Sequence, residues 1–85
     1  MMNIAPPSSL EAEQAILGSM LIDRDVLLKL ESILSPDDFY DQGNRLIYEV
    51  MLDLSRRGIP IDIVTLSNEL KGRDLVEKVG GIDYI

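Results

Sequence analysis

The chain has 85 residues, which is enough for one small domain and near the lower limit of what folds alone. Its net charge is −7, from 15 acidic and 8 basic residues. Such a chain is poorly suited to binding a nucleic-acid phosphate backbone, because that backbone binds clustered cationic side chains. Cysteine and histidine are absent, which excludes a disulfide framework, thiol or imidazole metal ligands and catalysis by either residue. No run of the sequence is long and apolar enough for a membrane span or a signal peptide, so the cytoplasm is the expected compartment.

The first third of the chain predicts two helices. Ser8 and Glu11 have the spacing of a capping box, which predicts a first helix that reaches about Ile22. Asp23 then predicts the cap of a second helix that ends near Leu34.

The middle of the chain predicts a short turn followed by the strongest helix. Ile33 belongs to the apolar stripe of the second helix. Ser-Pro-Asp-Asp at 35–38 places a cap, a proline and two acids in the order that favours a single helical turn. The strongest helix is expected from about residue 41 or 42 to Arg57, closed by Gly58 in a left-handed conformation. Asp53 and Arg57 have the spacing of an ion pair along its surface.

The last part of the chain predicts further short helices. Asp62 is expected to cap a helix that Gly72 ends, and Asp74 and Glu77 repeat the capping spacing for a brief one. Residues 82–85 have the character of one more helix start. No alternating strand pattern occurs, so the sequence predicts an all-α fold, a compact bundle of about five or six short helices.

Two dipeptides have a possible chemical interpretation. Asp37-Asp38 could be a catalytic or metal-binding pair, but adjacent helical residues diverge and acids at a helix start already favour the helix dipole. Gly80-Gly81 lacks the Lys-Ser/Thr pair that a phosphate-binding loop requires. The sequence therefore predicts no catalytic, cofactor-binding or metal-ligating residue.

Three residues are candidates for a protein interface. Glu13 falls in the middle of an apolar helix face, where an unpaired carboxylate would be costly. It therefore has a polar partner within the chain, reaches solvent, or contacts another protein. Leu28 and Val64 point away from the apolar stripes of their helices, which makes them the first candidates for a partner surface.

Six segments, in this order and spacing, resemble the N-terminal domain of the DnaB-type replicative helicases. They are Pro-Pro at 6–7 with Ser-Leu-Glu-Ala-Glu at 9–13, Leu-Gly-Ser-Met-Leu at 17–21, Leu-Ser-Pro-Asp-Asp-Phe-Tyr at 34–40, Asn-Arg-Leu-Ile-Tyr at 44–48, Gly-Ile-Pro-Ile-Asp-Ile-Val-Thr-Leu at 58–66 and Val-Gly-Gly-Ile-Asp-Tyr at 79–84. The resemblance covers nearly the whole chain from Ala5 onward. It departs at Asn44, where the family commonly has a histidine.

The resemblance implies a flexible lead-in at 1–7 and a helical collar head at 8–85, truncated before a helical hairpin and a RecA-like ATPase domain. The parent protein would be a six-subunit ring that uses ATP and Mg, held in its ATPase domain, to unwind duplex DNA at the replication fork. The head itself would hold no cofactor and catalyse nothing. It would pair with other heads and recruit primase and the helicase loader, while DNA is contacted through the parent's other domain and no membrane is involved.

Three alternatives differ in class. The helicase-binding C-terminal domain of bacterial primase has a similar helical fold. A free-standing DNA-binding helix-turn-helix conflicts with the acidic charge. A small hydrolase would have to work through Asp37 or its neighbour.

Overall fold

The computed structural model describes residues 7–79, and every regular element in this part of the chain is helical. These elements are α1 (Pro7–Ile22), α2 (Arg24–Leu30), a short 3₁₀ helix (Pro36–Asp38), α3 (Gln42–Arg56) and α4 (Ile63–Gly72). The all-α prediction is confirmed. The predicted number of helices is too high for the described residues, which hold four α-helices and the single 3₁₀ turn.

Each α-helix after α1 begins at an aspartate that caps it. Asp23 accepts a hydrogen bond from the backbone N–H of Asp25, and Asp62 forms a reciprocal capping box with Thr65. Such side chains satisfy the N–H groups that a helix start leaves free. α1 begins at Pro7, and the capping box predicted for its start lies outside the described side chains.

α2 is shorter than the sequence predicts. It ends at Leu30, and the backbone N–H groups of Ile33 and Leu34 both return to the Leu30 carbonyl in a tight turn. Pro36 disfavours helical backbone at the residue before it, so Ser35 is extended. The helix itself stops one turn before the expected position near Leu34.

The end of α3 follows the prediction, whereas the segment after α4 does not. Gly58 has φ +73°, the left-handed conformation expected of a glycine that closes a helix. Asp74 has φ +60°, although an N-cap residue needs extended backbone. The brief helix predicted at Asp74 and Glu77 is therefore wrong: residues 76–79 form a turn. The helix start predicted at 82–85 lies outside the described residues.

α3 is the central helix of the bundle, since it packs against α1, α4 and the 3₁₀ helix. Burying one broad apolar stripe of such a helix is the main source of its stability. The buried apolar side chains of α3 are Ile47, Tyr48, Val50, Met51, Leu52 and Leu54. Leu17 and Met20 from α1, Leu27 from α2, Phe39 and Leu66, Leu70 and Val79 complete the core.

Gly43 lets the turn after α4 pack onto the start of α3. A Cβ atom at this position would lie 3.2 Å from the Cα of Val79 and 3.1 Å from a carboxylate oxygen of Asp41. These distances are tighter than ordinary Cβ contacts, so a side chain here would require the neighbours to shift by a few tenths of an ångström. Within residues 7–79, no helix has the length and apolarity that crossing a membrane requires.

Candidate protein-interaction surface

Glu13 is the polar centre of the contact between α1 and the start of α3. Its carboxylate accepts hydrogen bonds from the backbone N–H groups of Tyr40 and Asp41 and, at 2.9 Å, from the side-chain amide of Asn44. Glu13 is half-buried, so these donors replace much of its contact with water. The interpretation in which Glu13 has a polar partner within the chain is confirmed. A contact of Glu13 with another protein stays a prediction.

Asn44 is the fully buried polar side chain of this cluster. Its backbone N–H donates to the carboxylate of Asp41 at 2.9 Å, while its amide donates to Glu13. Two carboxylates thus face the first turn of α3, where the helix dipole favours negative charge. The arrangement holds the start of α3 against the middle of α1.

Leu28 and Val64 are both at the surface, with 44% and 62% of their area exposed. Leu28 lies on α2, whereas Val64 lies in the first turn of α4 beside the partly exposed Ile63. Each points away from the core, as the sequence pattern indicates. That they contact a partner stays a prediction.

A groove that the sequence does not predict lies beside the end of α2. It has a volume of about 310 Å³ and is lined by residues 31–36 together with Leu52 and Arg56. Ile33, expected in the apolar stripe of the second helix, is instead 76% exposed at this groove, because α2 ends before reaching it. Pro36 makes a helix through Ser35 unfavourable but gives no signal for an end at Leu30.

Tyr48 holds the backbone beneath this groove. Its hydroxyl donates to the carbonyl of Leu34 at 2.7 Å, and its ring lies 5.1 Å from that of Phe39, between centroids. Burial raises the pKa of the Tyr48 phenol above its ordinary value, and the nearby carboxylates of Glu31 and Asp38 add to the shift. The phenol therefore stays a protonated donor to the carbonyl of Leu34, a residue that lines the groove.

Asp37 and Asp38, the adjacent acids of the 3₁₀ helix, take part in the hydrogen bonds at its start. The hydroxyl of Ser35 accepts from the Asp37 backbone N–H at 3.1 Å, and the Asp38 carboxylate accepts from the Ser35 backbone N–H at 2.8 Å. This reciprocal pattern is a capping box. No group of three or more potential metal-ligating side chains occurs among the residues that the structure describes.

Four charged residues link α3 to the end of α4. Arg57 contacts Asp53 at 3.2 Å and Glu69 at 2.9 Å, and Arg73 contacts the same two acids. The Asp53–Arg57 pair predicted from the sequence is confirmed. The two arginines lower the pKa of Glu69 through their hydrogen bonds, with that of Arg73 contributing most.

Comparison with known protein families identifies the family to which this helical bundle belongs. The family model described as the DnaB-like helicase N terminal domain matches residues 5–85. The chain belongs to this family. The resemblance seen in the six sequence segments is thereby confirmed, and the primase alternative is not favoured.

Relatives in this family are replicative helicases by name. The chain is 46% identical over 80 residues to the Replicative DNA helicase DnaC of Bacillus subtilis (strain 168), and 41% identical over 80 residues to the Replicative DNA helicase DnaB of Geobacillus stearothermophilus. Each alignment covers 94% of this chain but only 18% of the relative.

A solved structure shares the fold. The crystal structure of the N-terminal domain of DnaB helicase from Mycobacterium tuberculosis superposes with a TM-score of 0.84 at 41% identity, over 88% of this chain and 54% of that one. The fold is therefore that of the family's N-terminal domain.

Proposed function

We propose that this chain is the non-catalytic N-terminal protein-interaction domain of a ring-shaped, ATP-dependent replicative DNA helicase. The family match over residues 5–85 carries the proposal. Since the chain spans only 18% of the helicases it aligns with, the ATP- and Mg-dependent unwinding of duplex DNA at the replication fork is assigned to a domain beyond it. In this proposal residues 8–85 form the collar head and residues 1–7 lead into it.

The proposed partners are other heads of a six-subunit ring, primase and the helicase loader. Exposed apolar side chains, including Leu28 and Val64, support a role in protein contacts. The net charge of −7 supports contact with DNA through another domain rather than through this one.

Sedimentation of the chain, alone and mixed with primase, tests the interaction role. We expect Leu28→Asp or Val64→Asp to weaken self-association or primase binding, because a buried carboxylate at an interface is unfavourable. Ile22→Asp is the matched control, since Ile22 is 89% exposed and is not among the candidates. Helicity measured by circular dichroism should be unchanged in all three variants. If both candidate variants bind like the control, the assignment of Leu28 and Val64 to a partner surface is wrong.

ATP turnover tests the non-catalytic assignment separately. The purified chain should show no steady-state ATP hydrolysis, whereas the full-length protein should hydrolyse ATP in the presence of single-stranded DNA. Turnover by the purified chain alone would contradict the assignment.

A further inference from the structure

The groove beside the end of α2 is built on fixed backbone. Leu34 is held by the Tyr48 hydroxyl at 2.7 Å and by its own N–H to the Leu30 carbonyl at 2.7 Å. Ser35 and Asp38 fix the other wall through their capping box. A partner that enters this groove does not first have to order it, and preorganisation of this kind favours binding.

The groove also carries an apolar side chain with no cover. Ile33 is 76% exposed, beside Leu52, which is only 7% exposed and forms part of the groove wall. An exposed isoleucine beside a buried leucine in a concave surface is typical of a site that receives a partner side chain.

The charges around the groove define the chemistry of that partner. Glu31 lies on the groove itself, and Asp37 and Asp38 directly follow the lining residue Pro36, whereas Arg56 is the one cation among the described residues that line the groove. Such a surface attracts a cationic segment and repels nucleic acid and anionic lipid. For this groove, a second copy of the chain, with net charge −7, is a poorer electrostatic match than a basic segment.

We propose that the groove binds a basic segment of a partner protein, which inserts one apolar side chain against Ile33 and Leu52. A lysine or arginine of the segment pairs with Glu31, and the Arg56 guanidinium donates to a backbone carbonyl of the segment. The inference rests on the proposed function only in treating the chain as a protein-interaction domain.

The probe is a short synthetic helical peptide with lysines on one face and leucines on the other. Two matched peptides replace the leucines by serine or the lysines by glutamate. Titrated into the nitrogen-15-labelled chain, the parent peptide should shift the amide signals of residues 31–36, Leu52 and Arg56 most, and the two matched peptides should not. Shifts spread evenly over the acidic surface would overturn the proposal.

Substitutions then distinguish binding at the groove from attraction to the general negative charge of the chain. Ile33→Asp should lower peptide affinity about tenfold or more, as truncation of an interface anchor commonly does. Glu31→Lys should lower it several-fold and reduce its dependence on salt. Ile22→Asp matches Ile33→Asp in residue type, charge change and high exposure, and should change affinity less than about twofold. Equal losses in the two aspartate variants would overturn the proposal.

Self-association distinguishes this inference from the function proposed above. If Ile33→Asp abolishes a dimer seen by sedimentation and the peptide does not compete with that dimer, a second copy occupies the groove and the present proposal is wrong. If the peptide fails to bind while self-association and primase binding persist, the proposal fails and the proposed function stands.

Discussion

The side-chain amide of Asn44 donates a hydrogen bond to the carboxylate of Glu13 over 2.9 Å, across 31 positions of sequence. Asn44 has no exposed area, and Glu13 is only half-buried, so the bond runs from the interior of the bundle toward its surface. Two backbone N–H groups ahead of α3 share the same carboxylate. One side chain of α1 thus satisfies three donors where α3 begins.

Replacing Glu13 by alanine should destabilise the fold. The substitution leaves the buried amide of Asn44 and two backbone N–H groups without this acceptor, which we expect to lower the free energy of unfolding by about 1–3 kcal/mol. Urea denaturation followed by circular dichroism measures the change. Glu49→Ala, at an exposed acid of α3, should change it by less than about 0.5 kcal/mol. Equal effects of the two substitutions would show that the hydrogen bonds contribute nothing.

Tyr48→Phe should weaken the junction between α2 and the 3₁₀ helix and change the response to alkaline pH. Loss of the hydroxyl bond to Leu34 should lower the free energy of unfolding by about 1 kcal/mol. Because the pKa of Tyr48 is raised in the folded state, its contribution is complete below about pH 10 and is lost as pH rises through the folded value. The parent chain should therefore lose stability more steeply above that pH than Tyr48→Phe does. Tyr40→Phe, at a ring that is 71% exposed, should keep the steeper slope of the parent.

Glu69→Gln should make stability less sensitive to acid. The lowered pKa of Glu69 means that the folded state holds fewer protons than the unfolded state, so its contribution is present above the ordinary glutamate value, about 4.3, and is lost as pH falls through the folded value. Thermal unfolding at a series of pH values should show a shallower acid slope in the variant. Glu49→Gln, at an exposed acid of α3, is the control and should retain the parent slope. High salt should narrow the difference in Tm between the Glu69 variant and the parent, because the four charged side chains are partly exposed.

Two glycine substitutions should change stability in opposite directions. Gly18→Ala, in an interior turn of α1 with nothing within 4 Å of the added Cβ, should raise the free energy of unfolding by about 0.5–1 kcal/mol. Gly43→Ala places its Cβ 3.2 Å from the Val79 backbone, and such crowding costs about 1–3 kcal/mol, more than the helix propensity gains. We therefore expect Gly43→Ala to be destabilising. Equal stabilisation by both variants in urea denaturation would mean that the turn at residues 76–79 moves aside freely.

Most of the helix starts could be predicted because their signals are local. Asp23 and Asp62 are followed at once by helical sequence and need no distant contact to cap it. The same holds for Gly58, whose left-handed backbone depends only on the absence of a side chain. The backbone conformation at such positions can be predicted from residues within one helical turn.

The end of α2 and the partners of Glu13 could not be predicted in the same way, because both depend on α3. The hydroxyl of Tyr48 reaches the carbonyl of Leu34 from 14 positions away, and this tertiary bond fixes the turn that exposes Ile33. Apolar periodicity alone predicts that Ile33 is buried, because the pattern does not show where the helix ends. The groove was missed for that reason.

The amide of Asn44 neither gains nor loses a proton between about pH 5 and 8, the range in which an imidazole would titrate. The buried donor that ties α3 to α1 therefore keeps one chemical form throughout that interval. Around neutrality, mild acidification leaves the Asn44 amide with both of its donor hydrogens and places no cation at this position. The amide at position 44 thus gives the contact between α1 and α3 no titrating group of its own between about pH 5 and 8.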